Sequence, residues 1–159
     1  MSMWRVPVHN TESYTIVNLT LDDVPEMANI EAKAHTNPWS KAGLADCFGP
    51  LYRIIGLKQQ SQLLGFAVVQ QIFDEATLLD ICIDPAHQGL GFGLLLIRQV
   101  FDDAKQADAV VVMLEVRQSN IVAKGLYEKV GFIESGRRKN YYATDEGNED
   151  AILMDLSLV

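Results

Sequence analysis

Three glycines alternate with other residues in the segment 84–93, which reads DPAHQGLGFG. The segment follows an apolar run at 78–83 that is typical of a strand, and it leads into a helical pattern at 94–104. A glycine-rich turn at such a place leaves backbone N–H groups unpaired at the positive end of a helix dipole. The alternative is a tight connection that happens to be rich in glycine. Three glycines at every second position exceed the need of a turn, which favours a site for phosphate oxygens.

The spacing of these glycines does not fit the two common nucleotide-binding motifs. A dinucleotide-binding turn requires G-x-G-x-x-G, and Leu94 and Leu96 stand where a third glycine would be needed. A P-loop ends in glycine, lysine and a hydroxyl residue, whereas Gly93 is followed by two leucines. The remaining pattern, Gln88-x-x-Gly91-x-Gly93, resembles the pyrophosphate-binding signature of the GCN5-related N-acetyltransferases (GNAT). This resemblance implies that backbone N–H groups of the loop hold the pyrophosphate of acetyl-CoA.

A second group of residues that can do chemistry follows at Glu115, the only charged residue in the apolar run 109–116. A carboxylate in a buried strand is costly unless it is paired, solvated or functional, and pairing with Arg117 is the simple alternative. Asn120 and Tyr127 are seven residues apart, so on a helix they share one face that can look towards Glu115. A carboxylate and a phenol at one cleft can accept and donate a proton. A core aromatic whose hydroxyl reaches water is the other interpretation of Tyr127.

The sequence around these residues resembles the RimI-type group of the same family, which acetylates the N-terminal alanine of a ribosomal protein. The similar segments are NPWS at 37–40, DEATL at 74–78, LEVRQSN at 114–120, LYEKVGF at 126–132 and RRKNYY at 137–142. The similarity extends from about Thr20 to the end of the chain. It implies that Glu115 is the proton acceptor, Tyr127 the proton donor to the leaving thiolate, and Asn120 a cofactor-binding residue.

The same resemblance implies binding roles for further residues. Acetyl-CoA, the predicted co-substrate, would contact the fourth strand and the glycine loop at Ile81, Cys82, Ile83, Gln88, Gly89, Leu90, Gly91, Phe92, Gly93 and Leu94. The acceptor peptide would lie against Trp39, Tyr141 and Tyr142. Cross-strand packing is the alternative for one of the two tyrosines. Related enzymes often carry an arginine at the position of Gly89, so this chain has one positive charge fewer beside the pyrophosphate.

Three other residues are rival candidates for catalysis. Asp80 lies in an apolar strand where some acetyltransferases carry their base, so it is the second candidate for the proton acceptor. His35 is interpreted as a surface or turn residue, and Cys82 as a buried core thiol rather than a nucleophile. Because no Cys/His group in the sequence has metal-ligand spacing, no metal site is predicted.

The apolar patterns place these residues on an α/β fold of order β-α-α-β-β-β-α-β-α-β-β. We expect a single-domain GNAT fold, a mixed and mostly antiparallel sheet of about seven strands flanked by about four helices. The predicted strands are 14–18, 52–57, 63–73, 76–83, 109–116, 132–142 and 149–158. The predicted helices are 20–34, 40–49, 94–106 and 120–130.

Length and composition favour one cytoplasmic domain. At 159 residues the chain can bury a substantial core, so a single N-acetyltransferase domain is expected over 1–159, with 1–12 as a loosely ordered extension. No apolar run approaches the roughly 20 residues that span a bilayer, and no secretory signal is visible. No membrane partner is therefore expected. Two cysteines are too few for a disulfide framework, which favours a reduced cytoplasmic setting.

The net charge of −8 argues against a nucleic-acid partner, which requires a basic face. It suits a cationic partner instead, and the resemblance implies the basic N-terminus of a ribosomal protein. The cations at 137–139 have the opposite sign and are interpreted as a solvated sheet edge. The sequence does not determine the oligomeric state, and a monomer is the default expectation.

N-terminal protein acetylation is the leading hypothesis, and two alternatives remain beside it. An acetyltransferase of the same fold for a small amine or a lysine side chain would need a different acceptor pocket. The similarity at Trp39, Tyr141 and Tyr142 counts against that alternative. A catalytically silent acyl-CoA sensor would be expected to lose Glu115 or Tyr127, and this chain keeps both.

Overall fold

The structure is a computed structural model that describes residues 13–159; the predicted extension at 1–12 lies outside the described residues. Within them the chain forms seven strands and four α-helices. The strands are β1 (Thr15–Asn18), β2 (Tyr52–Gln59), β3 (Gln62–Ile72), β4 (Glu75–Ile83), β5 (Val111–Arg117), β6 (Ile133–Thr144) and β7 (Gly147–Ser157). The helices are α1 (Val24–Ala34), α2 (Lys41–Ala45), α3 (Phe92–Gln106) and α4 (Ile121–Val130). Short 3-10 turns precede α1 at Leu21–Asp23 and α3 at Pro85–His87.

All seven strands belong to one sheet, in the order β1-β2-β3-β4-β5-β7-β6. Among the described strands only β4 and β5 run parallel, and the other neighbours are antiparallel. Parallel neighbours need a crossover connection, and α3 lies within it. The predicted single-domain GNAT fold with a mixed, mostly antiparallel sheet is therefore confirmed.

Helices cover both faces of the sheet because each has one apolar side. α3 packs through Leu96, Ile97 and Val100 into the larger core, which also contains Tyr127 of α4. α1 packs through Met27 and other apolar residues into a second core. Burying an aliphatic side chain of this size stabilises the fold by about 1.5–3 kcal/mol. None of the helices within residues 13–159 has both the length and the apolar character that crossing a membrane requires.

The two parallel strands pair over only part of their lengths. Their ladder ends at Leu78 of β4 and Leu114 of β5. Beyond that point β5 continues along β7 as far as Arg117. The segment 79–83 of β4 keeps β3 as its partner strand among the described residues. Backbone N–H and C=O groups on the open side of this segment are therefore available to a ligand.

A β-bulge in β4 changes the face on which its later residues lie. The pairing with β3 skips Leu79, which is an extra residue between Leu78 and Asp80. Leu78 packs in the core that contains α3, whereas Cys82 packs in the core that contains α1. In an unbroken strand, residues at even spacing would share one face. The bulge therefore turns Asp80 and Cys82 towards α1.

Two predicted helix boundaries are wrong in informative ways. The second helix was expected over 40–49, but α2 ends at Ala45 and the chain continues as i to i+3 turns. The third helix begins at Phe92, two residues earlier than predicted, and Gly91 is its N-cap. Gly93 consequently lies within the first helical turn rather than in the preceding loop.

Candidate active site

A cleft of about 950 Å³ opens where β4 and β5 separate. Sites that hold a small-molecule ligand have volumes of roughly 300–1,000 Å³. Most of the predicted site residues line this cleft: Trp39, Ile81, Cys82, Ile83, Gln88, Gly89, Gly91, Phe92, Gly93, Leu94, Glu115, Asn120, Tyr127 and Tyr142. Leu90 and Tyr141 do not. The Leu90 side chain packs, partly buried, against the larger core.

The glycine loop between β4 and α3 has the geometry of an anion site. Gly89 and Gly91 have φ values of +80° and +87°, in the left-handed region that favours glycine. Gln88 fastens the loop to β4 by donating from Nε2 to the carbonyl oxygen of Ile83 at 3.1 Å. No side chain of the described residues caps α3, so its first N–H groups are available to another acceptor. These groups and the helix dipole fit a phosphate.

Glu115 lies on β5 just beyond the end of the β4–β5 ladder. Its Oε1 atom is 3.0 Å from Nε of Arg138 on β6. The alternative pairing with Arg117 is wrong, because Arg117 binds Glu149 at 3.4 Å. The Arg138 side chain is 54% exposed, so water screens this ion pair, and exposed pairs contribute only about 0–1 kcal/mol. The pair can therefore open at little cost when a ligand approaches Glu115.

Tyr127 lies on α4 and is almost completely buried in the cleft wall. Its ring packs edge-on against Phe132, with centroids 5.7 Å apart. Burial raises the pKa of the Tyr127 hydroxyl, and the negative charge of Asp80 adds to the rise. The hydroxyl therefore keeps its proton at neutral pH and can serve as a proton donor. Asn120 is the N-cap of α4, where its Oδ1 accepts from the N–H of Ala123 at 3.2 Å.

A bulge in β6 gives the neighbouring Tyr141 and Tyr142 different positions. Asn140, with φ +54°, occupies the bulge, and its N–H donates to Oδ1 of Asp150 at 3.0 Å. Tyr142 lines the cleft with its ring 4.3 Å from the guanidinium carbon of Arg117. Tyr141 is 51% exposed and lies outside the lining. Of the two tyrosines predicted to contact the acceptor, the structure therefore brings Tyr142 to the cleft.

A buried group of ionisable side chains lies on the α1 side of the cleft. His35, the C-cap of α1, has Nε2 at 3.4 Å from Asp80 Oδ1 and at 3.7 Å from Glu31 Oε2. His35 was interpreted as a surface or turn residue: it lies in the turn that follows α1, but its side chain is only 33% exposed and contacts buried carboxylates. Glu31 was not among the predicted site residues. A glutamate on the same helical face as the buried Met27 and Ile30 was the available signal.

The charges in this buried group perturb one another. Burial raises the pKa of the Glu31 carboxyl to about 9, and the Asp80 carboxyl adds to the rise while the Trp39 backbone N–H opposes it. Glu31 is therefore protonated at neutral pH. Contact with the Asp80 carboxylate raises the pKa of His35, with burial acting in the opposite direction.

Cys82 lies in the same region and is buried. Burial raises the pKa of its thiol, and the charges of Glu31, Asp80 and Asp84 add to the rise. A neutral thiol is a poor nucleophile. The interpretation of Cys82 as a buried core thiol is therefore confirmed.

Comparison with known proteins identifies the class that this fold and cleft define. Residues 17–132 match the Acetyltransferase (GNAT) family, and the chain belongs to that family. It is therefore an acetyltransferase. Acetyltransferases of this family use acetyl-CoA as the acetyl donor.

The chain is similar over nearly its whole length to enzymes that modify a ribosomal protein. The ribosomal protein bS18-alanine N-acetyltransferase of Escherichia coli K12 is 40% identical over 144 residues, covering 91% of this chain and 97% of the relative. The enzyme of that name from Haemophilus influenzae is 42% identical over 133 residues, covering 83% of this chain and 90% of the relative.

Solved structures show the same similarity. The crystal structure of the ribosomal-protein-S18-alanine N-acetyltransferase from Escherichia coli matches with a TM-score of 0.88 at 40% identity, over 92% of this chain and 94% of that chain. Ard1 from Thermoplasma volcanium matches with a TM-score of 0.82 at 23% identity, over 92% of this chain and 98% of that chain. The second match, at lower identity, shows the shared fold alone.

Proposed function

We propose that this enzyme transfers the acetyl group of acetyl-CoA to the α-amine of the N-terminal alanine of ribosomal protein bS18. The observation that carries the proposal is the 40% identity to bS18-alanine N-acetyltransferases over 97% of their length. The cleft supports it, because Glu115 and Tyr127 line one space together with Trp39 and Tyr142. A ribosomal-protein acceptor would place the reaction in the cytoplasm.

In this proposal, backbone groups form the part of the cleft that binds acetyl-CoA. The N–H groups of the loop and first helical turn, residues 89–94, bind the pyrophosphate, and Leu90 contributes its backbone alone. Ile81, Cys82 and Ile83 offer the open edge of β4 to the pantetheine and acetyl groups. An N–H group on this edge can polarise the thioester carbonyl and stabilise the negative charge that develops on its oxygen.

The proposed reaction is direct attack of the α-amine on the thioester carbon, with no acetylated enzyme intermediate. As the C–N bond forms, Glu115 accepts the proton that the nitrogen loses. As the C–S bond breaks, Tyr127 donates its hydroxyl proton to the sulfur. A free α-amine has a pKa of about 7.7–8.0, so roughly a tenth of it is already neutral at pH 7. A carboxylate base is therefore sufficient for this acceptor.

Asp80 remains the second candidate for the proton acceptor. Its side chain is only 7% exposed and lies 3.4 Å from His35. The Glu115 side chain is 30% exposed, and the side chain of its partner, Arg138, is 54% exposed. Access therefore favours Glu115 as the group that meets an incoming amine.

The overall charge suits a basic acceptor. A net charge of −8 attracts cationic chains over distances of about a Debye length. The cations on β6 do not oppose this attraction, because Arg137 lies 3.4 Å from Glu134 and Arg138 lies 3.0 Å from Glu115. The interpretation of 137–139 as a solvated sheet edge is thus incomplete for Arg137 and Arg138, although β6 does lie at the edge of the sheet.

The test is acetyl transfer to a peptide that copies the N-terminus of bS18, measured beside the same peptide with a blocked α-amine. We expect one acetyl group per free peptide and no transfer to the blocked copy. A third peptide with a blocked α-amine and an added lysine tests side-chain acetylation. Equal rates on the free and blocked peptides would contradict the proposed acceptor.

Replacing Gly91 with Ala is expected to raise the KM for acetyl-CoA at least about tenfold, with a smaller effect on kcat. An alanine at φ +87° costs about 1–2 kcal/mol, and the loop can relieve that cost only by moving its N–H groups. Steady-state kinetics with varied acetyl-CoA measure the change. Gly125→Ala is the matched control, because a methyl group there meets open space. Equal KM values for the two variants would contradict a role for the loop geometry.

A further inference from the structure

The buried ionisable group next to the cleft has a feature that acetyl transfer does not explain. One ligand atom each from Glu31, His35 and Cys82 lie within 4.8 Å of one another. Asp80 joins the group through its 3.4 Å contact with His35. The sequence spacing conceals this group, because its members come from α1, from its C-cap and from the segment of β4 that follows the bulge.

Several buried polar atoms of the group lack a well-formed hydrogen bond. Both oxygens of Glu31, Oδ2 of Asp80 and Nε2 of His35 are buried and have no hydrogen-bond partner of good geometry among the described residues. The Glu31 side chain is 1% exposed, which limits the access of bulk water to its oxygens. An ionised carboxylate can only accept hydrogen bonds, and buried charges require pairing or a metal. A cation at this place would give Glu31, His35 and Cys82 a common partner.

We propose that Glu31, His35, Asp80 and Cys82 form a binding site for a zinc-type divalent metal ion. A tetrahedral zinc ion with bonds of about 2.0–2.3 Å separates its ligand atoms by roughly 3.2–3.7 Å. The His35–Asp80 and His35–Glu31 contacts of 3.4 and 3.7 Å already have this spacing. The cysteine sulfur lies within 4.8 Å of the Glu31 and His35 ligand atoms, so a shift of at most about 1 Å would bring it to bonding distance.

The donor set identifies the class of ion. A thiolate and an imidazole together select zinc or a similar transition metal, whereas magnesium and calcium prefer oxygen ligands alone. Binding would release the protons of the Glu31 carboxyl and the Cys82 thiol to the solvent. Two carboxylates and one thiolate then face the doubly charged ion, and the imidazole binds it in the neutral form after losing any second proton to the solvent. The proposal reverses the sequence-based expectation of no metal, and it does not rest on the identity of the acetyl acceptor.

The rival explanation is a shared proton, with Glu31 donating to Asp80 and no affinity for metal. Chelator-treated protein titrated with Zn²⁺ in a calorimeter distinguishes the two. We expect one zinc ion per chain, and at least about a tenfold weaker affinity in His35→Gln and in Glu31→Gln. Cobalt substitution gives a second readout, since a thiolate ligand adds a charge-transfer absorption band in the near ultraviolet. That band should appear in the wild-type protein and be lost in Cys82→Ser.

Two matched controls remove the same donor types elsewhere in the described structure. Cys47→Ser and His87→Gln should both retain the zinc affinity and the cobalt band of the wild-type protein. Thermal melting checks that each variant is folded. If a variant is unfolded, the cobalt spectrum of the wild-type protein still shows whether a thiolate binds the metal. Failure of the wild-type protein to bind zinc would overturn the proposal, as would binding that is unchanged in both His35→Gln and Cys82→Ser. Either result would leave the shared proton as the explanation.

Discussion

Glu115→Gln is expected to lower kcat for acetyl transfer by about 10²–10⁴-fold at pH 7, because a positioned proton acceptor contributes that much. Glutamine keeps the size of the side chain and its place beside Arg138, so the variant removes basicity with little change in shape. Steady-state rates with the bS18 peptide measure the effect. The variant should fold normally, since the exposed ion pair contributes only about 0–1 kcal/mol to stability.

The pH dependence of the Glu115→Gln defect shows whether Glu115 accepts the proton before or after the amine attacks. If Glu115 takes the proton from an ammonium group before attack, raising the pH to about 9 should reduce the defect by up to about tenfold. The reason is that the neutral fraction of an α-amine rises from roughly a tenth to nearly all of it. If Glu115 takes the proton after attack, the defect should persist at both pH values.

Matched variants identify the base. Glu128→Gln changes an exposed glutamate on α4 in the same way and should leave kcat unchanged. Asp80→Asn tests the second candidate, and we expect a smaller loss than for Glu115→Gln. A larger loss in Asp80→Asn, with near-normal turnover in Glu115→Gln, would transfer the role of base to Asp80.

The predicted residues that do line the cleft owe their positions to short-range sequence features. The glycine loop joins consecutive elements, so its residue types and its geometry are set by neighbours in the chain. Asn120 and Tyr127 share one helical face through the period of the α-helix. Most strands follow from apolar runs, because a buried strand must be apolar on the face or faces that it covers.

The parts that were missed depend on contacts between distant segments. Arg138 reaches Glu115 because β7 lies between β5 and β6 in the sheet, and no local pattern encodes that order. The bulge at Leu79 turns Asp80 and Cys82 towards α1. The residue types of an apolar strand do not reveal whether it contains a bulge. Glu31 was missed because a single polar residue on an apolar face does not disturb the pattern of the helix.

Tyr127→Phe is expected to lower kcat by about 10²-fold with little change in the KM of either substrate. The wild-type hydroxyl is buried and its pKa is raised, so it is protonated throughout the neutral range and available for the proposed role of acid. The variant keeps the ring and its packing against Phe132 but removes the proton that we propose is given to the leaving sulfur. Rapid-quench measurement of a single turnover would show whether the loss lies in the chemical step.

A change of leaving group tests whether that proton is the cause. With acetyl-seleno-CoA the departing selenolate is a much weaker base than a thiolate and needs less protonation. The defect of Tyr127→Phe should therefore shrink with this donor, whereas a defect caused by misplaced packing would persist. Tyr52→Phe is the matched control, since its hydroxyl accepts from Gln70 Nε2 at 3.3 Å and lies outside the cleft lining. An equal defect of Tyr127→Phe with both donors would exclude the hydroxyl as the proton donor, because the benefit of protonation must follow the basicity of the atom that receives it.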